Sequence, residues 1–166
     1  NLALSHLLAA GEHDAQRLAE QQYERAGNMT DSMAALSALI NYGQGDFPQE
    51  ALAAFYDKWR DNPLVVDKWF ALQAAARSTT VQTARELMTH PAFTLRTPNR
   101  ARALIFQFCL NNARGMHHPD GTGYAFWAEQ VLALDALNPE IAARLARALD
   151  NWSRFVPALR LSLIHI

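Results

Sequence analysis

The residues of this chain with most chemistry in them are its histidines, its single cysteine and a set of arginines. A helical zinc hydrolase site needs two histidines one turn apart, a glutamate base between them and a downstream carboxylate ligand. His6, His13, His90, His117 and His118 never fall at that spacing. The adjacent His117 and His118 sit in a loop with no third ligand, a pattern that usually means solvated or packed loop. Cys109 lies in an apolar helical run with no His or Asp partner at an informative spacing, so a buried, reduced thiol is expected rather than a nucleophile. An arginine of interest stands on each of two helices, Arg102 and Arg144. A guanidinium can hold a carboxylate bidentately, which lysine cannot. Glu140 and Arg144, four residues apart, can also form a local helix pair worth about 0.3–0.5 kcal/mol, and read by spacing alone the arginines are surface residues.

The elements that must position these residues are helices with clear punctuation. Thr97-Pro98 and Asn138-Pro139 each offer an N-cap oxygen followed by a proline at the first helical position. Between the helices they open, His117 to Gly123 is a loop, since Pro119, Asp120-Gly121 and Gly123 cannot extend a helix. Upstream, a helix to Ala10 closes at Gly11, and a second stripe runs from Glu12 to Ala26 until Gly27-Asn28 stops it. Thr30 or Asp31 is expected to cap a helix through Ile40. Asp46 with Gln49 and Thr79 with Gln82 have capping-box spacing, and Asn62-Pro63 opens a helix carrying Trp69 and Phe70, both expected in the core. Helix starts near 31, 63, 98 and 139 recur at about 32 to 41 residues with a second helix inside most intervals. The expected fold is all-α, a superhelical α-solenoid of HEAT- or armadillo-like antiparallel helix pairs, with function sought on its concave face.

Composition narrows the classes further. Of 166 residues half are apolar, formal net charge is −1 and the pI is about 6.6, so nucleic acid is a poor partner. No apolar run approaches the roughly 18 residues of a membrane span. The chain starts without Met and in mid-helix, as a fragment would. At the other end, Leu161-Ser162-Leu163-Ile164-His165-Ile166 is what CTG TCT CTT ATA CAC ATC encodes, the mosaic-end adapter of transposase-based sequencing libraries. Residues 1–160 are therefore expected to be one helical domain, and 161–166 an adapter artefact.

Ordered blocks along the chain carry a resemblance. They are Asn28-Met29-Thr30-Asp31, Asp67-Lys68-Trp69-Phe70, His90-Pro91-Ala92-Phe93, and Pro98-Asn99-Arg100 with Arg102. After them come His117 or His118 with Asp120-Gly121 and Gly123-Tyr124, then Asn138-Pro139 with Ala142-Ala143-Arg144-Leu145. In this the chain resembles the C-terminal helical domain of the bacterial aminopeptidase N family, zinc-dependent gluzincins that remove N-terminal residues from peptides. The resemblance implies that Arg102 and Arg144 line the cavity above the active site and hold a peptide carboxylate. It places Glu140, where the family commonly has glutamine, near the pocket for the substrate's first side chain. A carboxylate complementing the helix dipole is an equally good reading of Glu140. It also implies a zinc-bearing catalytic domain upstream as partner, peptides as substrates, a cytoplasmic location, and no zinc or hydrolysis on this segment alone. Two other readings stay open: a HEAT-like adaptor that binds a protein on its concave face, and a pseudoenzyme domain whose zinc ligands are lost. The coding sequence immediately upstream separates them.

Overall fold

A computed structural model describes residues 1–155, 157, 159 and 160; the tail from Leu161, with the adapter expectation, lies outside them. Among the described residues every regular element is helical. The chain divides into two compact units, Asn1–Trp69 and Phe70 onward, the boundary falling inside one helix.

In the first unit α1 (Leu2–Ala10) ends on Gly11, whose φ of 73° is the left-handed conformation a residue with a Cβ resists. Helices α2 (Ala15–Arg25), α3 (Met29–Tyr42) and α4 (Phe47–Trp59) follow, joined by short connections. Ala15 and Ala19, one turn apart and fully buried, let α2 close on Ala38 and Leu39 of α3, with Leu4 and Leu8 of α1 in the same cluster. Polar tips of the aromatics find backbone partners. Tyr23 donates its hydroxyl to Ala51 O at 2.9 Å, and Trp69 donates Nε1–H to Leu52 O at 3.0 Å. Two caps differ from what the sequence suggests. Asn28, not Thr30 or Asp31, caps α3, its Oδ1 accepting from Asp31 N at 2.9 Å. The cap lies two residues earlier because an extended Asn28 backbone already aims its amide oxygen at that N–H. Asp46 occupies the N-cap of α4 without a side-chain bond, since its backbone has already turned helical at φ −88°, ψ −21°.

Helix α5 (Pro63–Ala74) carries Trp69 at the end of the first unit and Phe70 at the start of the second, both buried as expected. The second unit continues with α6 (Val81–Met88), an irregular stretch, and then α7 (Pro98–Ala101), a π-helical turn (Arg102–Phe106) and α8 (Gln107–Asn111) in unbroken succession. One turn, α9 (Ala113–Met116), leads through the loop to α10 (Thr122–Asp135). Helix α11 (Pro139–Ala146) follows, extended by a 3₁₀ turn (Arg147–Leu149). Helices α10 and α11 pack side by side across a short connection, so they run antiparallel. The core is aromatic: Phe70, Phe108, Tyr124 and Phe126 are fully buried, and Phe108 meets Phe126 edge-on at 5.3 Å. Each such ring contributes about 1.5–3 kcal/mol by leaving water.

Thr79 was expected to cap α6. Thr80 does so instead, accepting from Thr83 N at 3.2 Å. Thr79 is buried and donates its hydroxyl to Gln73 O at 2.6 Å. At Thr97 the proline stands at the first helical position as expected, but the threonine side chain makes no cap bond. Asn138 does what its sequence promises, accepting from Ile141 N at 3.2 Å.

Candidate functional site

Arg102 and Arg144 stand on helices of the second unit and are both exposed. Arg102 opens the π turn, in which Gln107 N–H reaches back to Arg102 O, five residues earlier. The sequence explains why the helix widens here. Arg100, Leu104, Phe108 and Asn112 are all buried, as are Ala101, Ile105 and Cys109. These rows have a period of four, and an α-helix of 3.6 residues per turn would rotate them steadily off the core. A wider turn in the middle brings them back. Such turns occur frequently at functional sites. On the opposite side the Arg102 guanidinium has no hydrogen bond or ion pair with another described residue.

Arg144 is differently placed. Its Nη2 lies 2.6 Å from Glu140 Oε1, one helical turn back on α11. Arg147 has its own acid, with Nε 2.9 Å from Asp150 Oδ2. Helix α11 is fixed beneath this charged row by Asn138 at its start and by Trp127 of α10, whose Nε1–H donates to Leu145 O at 2.9 Å. Of the three residues singled out by sequence, the structure therefore brings Glu140 and Arg144 together and leaves Arg102 separately available. From Phe70 onward the chain has ten arginines, no lysine and six acids, a formal +4, whereas residues 1–69 carry −5. A groove of about 340 Å³ lined by Leu18, Gln21, Gln22, Arg25 and Asp31 lies in the first unit and includes none of the three.

The histidine loop is built for position. His117 Nδ1 lies 2.9 Å from the hydroxyl of fully buried Tyr124, and its ring meets Phe155 edge-on at 4.7 Å. Burial pulls its pKa below the usual histidine value. His118 Nδ1 pairs with Asp120 Oδ1 at 2.9 Å. Asp120 also accepts from Thr122, backbone N–H at 2.9 Å and hydroxyl at 2.7 Å. These bonds, the Thr122 backbone N–H foremost, then its hydroxyl and His118, hold the Asp120 carboxyl down at about 2. Among the described residues no group of three His, Cys, Asp or Glu is placed to hold a metal ion. Cys109 is buried, and desolvation pushes its thiol up to about 12.

Two polar residues that sequence reasoning passed over prove central to the scaffold. Arg100 is buried, with its guanidinium 5.0 Å over the Phe70 ring and Nη1 donating to Ala92 O at 2.6 Å. Asn112, also buried, spends its whole amide on backbone: Nδ2 donates to Ala74 O, Ala76 O and Thr79 O, and Oδ1 accepts from Gly115 N. A lone asparagine after an apolar helix carries no signal for partners so far back in the chain.

Comparison with known proteins agrees with this architecture. The family description "Domain of unknown function (DUF3458_C) ARM repeats" matches residues 1–163. Aminopeptidase N of Escherichia coli is 42% identical over 92% of the chain, and that of Caulobacter vibrioides 40% over 95%. Aminopeptidase N of Haemophilus influenzae is 38% identical over 93%. The chain spans 18% of the length of each, in the C-terminal part. A crystal structure of Legionella pneumophila aminopeptidase A in complex with aspartic acid superposes with a TM-score of 0.88 at 31% identity, covering 98% of this chain and 19% of that one. With all-helical elements and ARM repeats the fold class is the expected α-solenoid. The chain belongs to the DUF3458_C family of ARM-repeat domains and corresponds to the C-terminal region of aminopeptidase N.

Proposed function

We propose that this chain is the C-terminal helical domain of a cytoplasmic zinc aminopeptidase, where it closes over the active-site cavity and restricts entry to peptides. The observation that carries the reading is identity of 38–42% to aminopeptidase N sequences over more than nine-tenths of the chain. In this reading the zinc belongs to the part of the parent protein outside this chain. There it would supply an activated water at neutral pH. This chain's own part is to bind and orient. Arg102 and Arg144 hold the carboxylate of the peptide, and Glu140 borders the pocket for its first side chain.

In the parent enzyme Arg102→Ala or Arg144→Ala should raise KM for short peptides. Small aminoacyl amides, which lack the distal carboxylate, should be nearly untouched. A lost charge-assisted hydrogen bond is worth about 1.5–3 kcal/mol, hence about ten- to a hundredfold at most. Equal effects on peptides and amides would decide against the cavity role. The isolated chain should hydrolyse neither substrate, with or without added zinc. Chelator-sensitive hydrolysis by the pure chain would overturn that division of labour.

The adaptor reading has one feature in its favour, a set of outward leucines that includes Leu110, Leu132 and Leu137 at 53%, 73% and 44% exposure. Finding a gluzincin motif in the coding sequence upstream decides for the enzyme.

A further inference from the structure

Helices α7 and α8 and the π turn between them form one continuous rod, and two buried polar side chains hold its ends. Near one end the Arg100 guanidinium lies 5.0 Å over the Phe70 ring, and its Nη1 donates to Ala92 O at 2.6 Å. Just past the other end, Asn112 Nδ2 donates to Ala74 O at 3.2 Å and to Thr79 O at 2.8 Å. Phe70 and Ala74 are one turn apart on α5, and Thr79 and Ala92 flank the two ends of α6. Both anchors therefore grip the same neighbours and must leave the rod on one face. We propose that the π turn is a two-state register device. While Arg100 and Asn112 are both seated the rod holds one residue more than an α-helix can, and release of Arg100 lets the turn close to α.

An α-helix advances about 100° per residue, so the twelve positions from Arg100 to Asn112 would set the two anchors about 120° apart. A turn closed over five residues instead of four absorbs one residue, and the angle falls to about 20°. The apolar side chains make no such demand. In a plain α-helix Leu104, Ile105 and Phe108 fall within about 100° of one another, a stripe that a helix readily buries. The two polar anchors thus decide between the forms. The same count identifies the spare residue. With Ala103 removed, a plain α-helix would put Leu104, Ile105, Phe108, Cys109 and Asn112 all within about 100° of Arg100. Ala103 is buried but brings only a methyl group to the core. Arg102 would stay on the opposite, exposed side.

The test is made in the full-length parent protein, by thermal melting and crystallography. Deletion of Ala103 should leave a folded protein whose rod is plain α, with Arg100 still on Ala92 O and Asn112 still on Thr79 O. Deletion of Ala128, in the middle of the regular α10, has no spare turn to draw on and should lose the folded second unit. Arg100→Met, which fills the site without the charge or the bond, should close the turn, so that Gln107 N–H moves from Arg102 O to Ala103 O. Arg100→Gln asks the same question should the methionine variant not fold. Loss of the fold on deletion of Ala103, or equal tolerance of the two deletions, would overturn the proposal. So would a π turn that persists once Arg100 is replaced.

Discussion

The side-chain amide of Asn112 donates to Ala74 O at 3.2 Å, joining the start of α9 to the end of α5. The same Nδ2 reaches Ala76 O at 3.0 Å and Thr79 O at 2.8 Å, while Oδ1 accepts from Gly115 N at 2.9 Å. Ala74 O belongs to the last turn of its helix, where carbonyls have no partner within the helix, and Gly115 N to the first turn of another, where N–H groups have none. One buried side chain thus satisfies orphans of both kinds.

Asn112→Ala would leave those groups buried and unpaired, at about 1–3 kcal/mol for the first and less for those that relax towards water. A net loss of about 2–4 kcal/mol is expected. Asn112→Asp should be worse, because a carboxylate would face three carbonyl oxygens. Urea unfolding of the two variants checks the order; an aspartate variant as stable as the native chain would show that the donor is dispensable.

Glycine positions give a graded comparison. A Cβ on Gly123 would lie 2.2 Å from Met116 O, and one on Gly115 2.7 Å from Phe108 Cε2 and 2.8 Å from Thr79 O. Backbone oxygens cannot step aside as a flexible side chain can. Gly123→Ala and Gly115→Ala should each cost about 1–3 kcal/mol by overpacking. Gly27 has no heavy atom within 4 Å of a built Cβ and no positive φ, so Gly27→Ala should be neutral or slightly stabilising. Thermal melts of the three separate packing from a general effect of removing glycine.

Signals that act within one helical turn were legible in the sequence, and those that act across the fold were not. Asn138-Pro139 and the Glu140–Arg144 spacing both read correctly, because donor and acceptor lie three or four residues apart. Caps with neighbouring candidates were misread by one to three residues, at Asn28 and Thr80, since choosing among them depends on the backbone angle at the cap. The π turn was written in the four-residue rows from Arg100 to Asn112, yet a short apolar run reads as plain helix until its buried face is known. Asn112 and Arg100 were illegible for another reason. Asn112 bonds carbonyls 33 to 38 residues away, and the aromatic face under Arg100 belongs to Phe70. For the candidate site, a resemblance singled out Arg102 and Arg144; that Arg144 is paired and Arg102 is without a partner among the described residues is a finding of the structure.

Acid should destabilise the second unit in two separate steps. His117 and His90 have pKa values below 6.5, burial being the leading cause in both and the Arg100 charge adding to it at His90. The unfolded chain then binds protons more readily than the folded one. Stability is full above pH 6.5 and declines as the pH falls from there through the folded values. Asp120 acts lower, its contribution present above 3.8 and lost as the pH falls toward about 2. His117→Phe should shrink the upper step to the part that His90 supplies and leave the lower; an unchanged profile from pH 7 to about 5 would remove His117 as a contributor.

Cys109 offers a way to watch the second unit open. Its thiol is buried in the rod that holds the π turn, and burial raises it to about 12, so at neutral pH the reactive thiolate is nearly absent. A disulfide reagent should therefore label the native chain far more slowly than a small thiol, and promptly in denaturant. When opening is fast relative to labelling, the rate reports the open population. Asn112 lies three residues on, at the end of the same rod, and ties it to α5. Asn112→Ala should accelerate labelling by the factor that its loss of stability predicts, about tenfold for each 1.4 kcal/mol, if the two belong to one cooperative unit. Gly27→Ala, in the other unit, should leave the rate alone. Should Asn112→Ala lower the urea midpoint without changing the labelling rate, Cys109 would be reached by a local opening in which the Asn112 bonds stay intact.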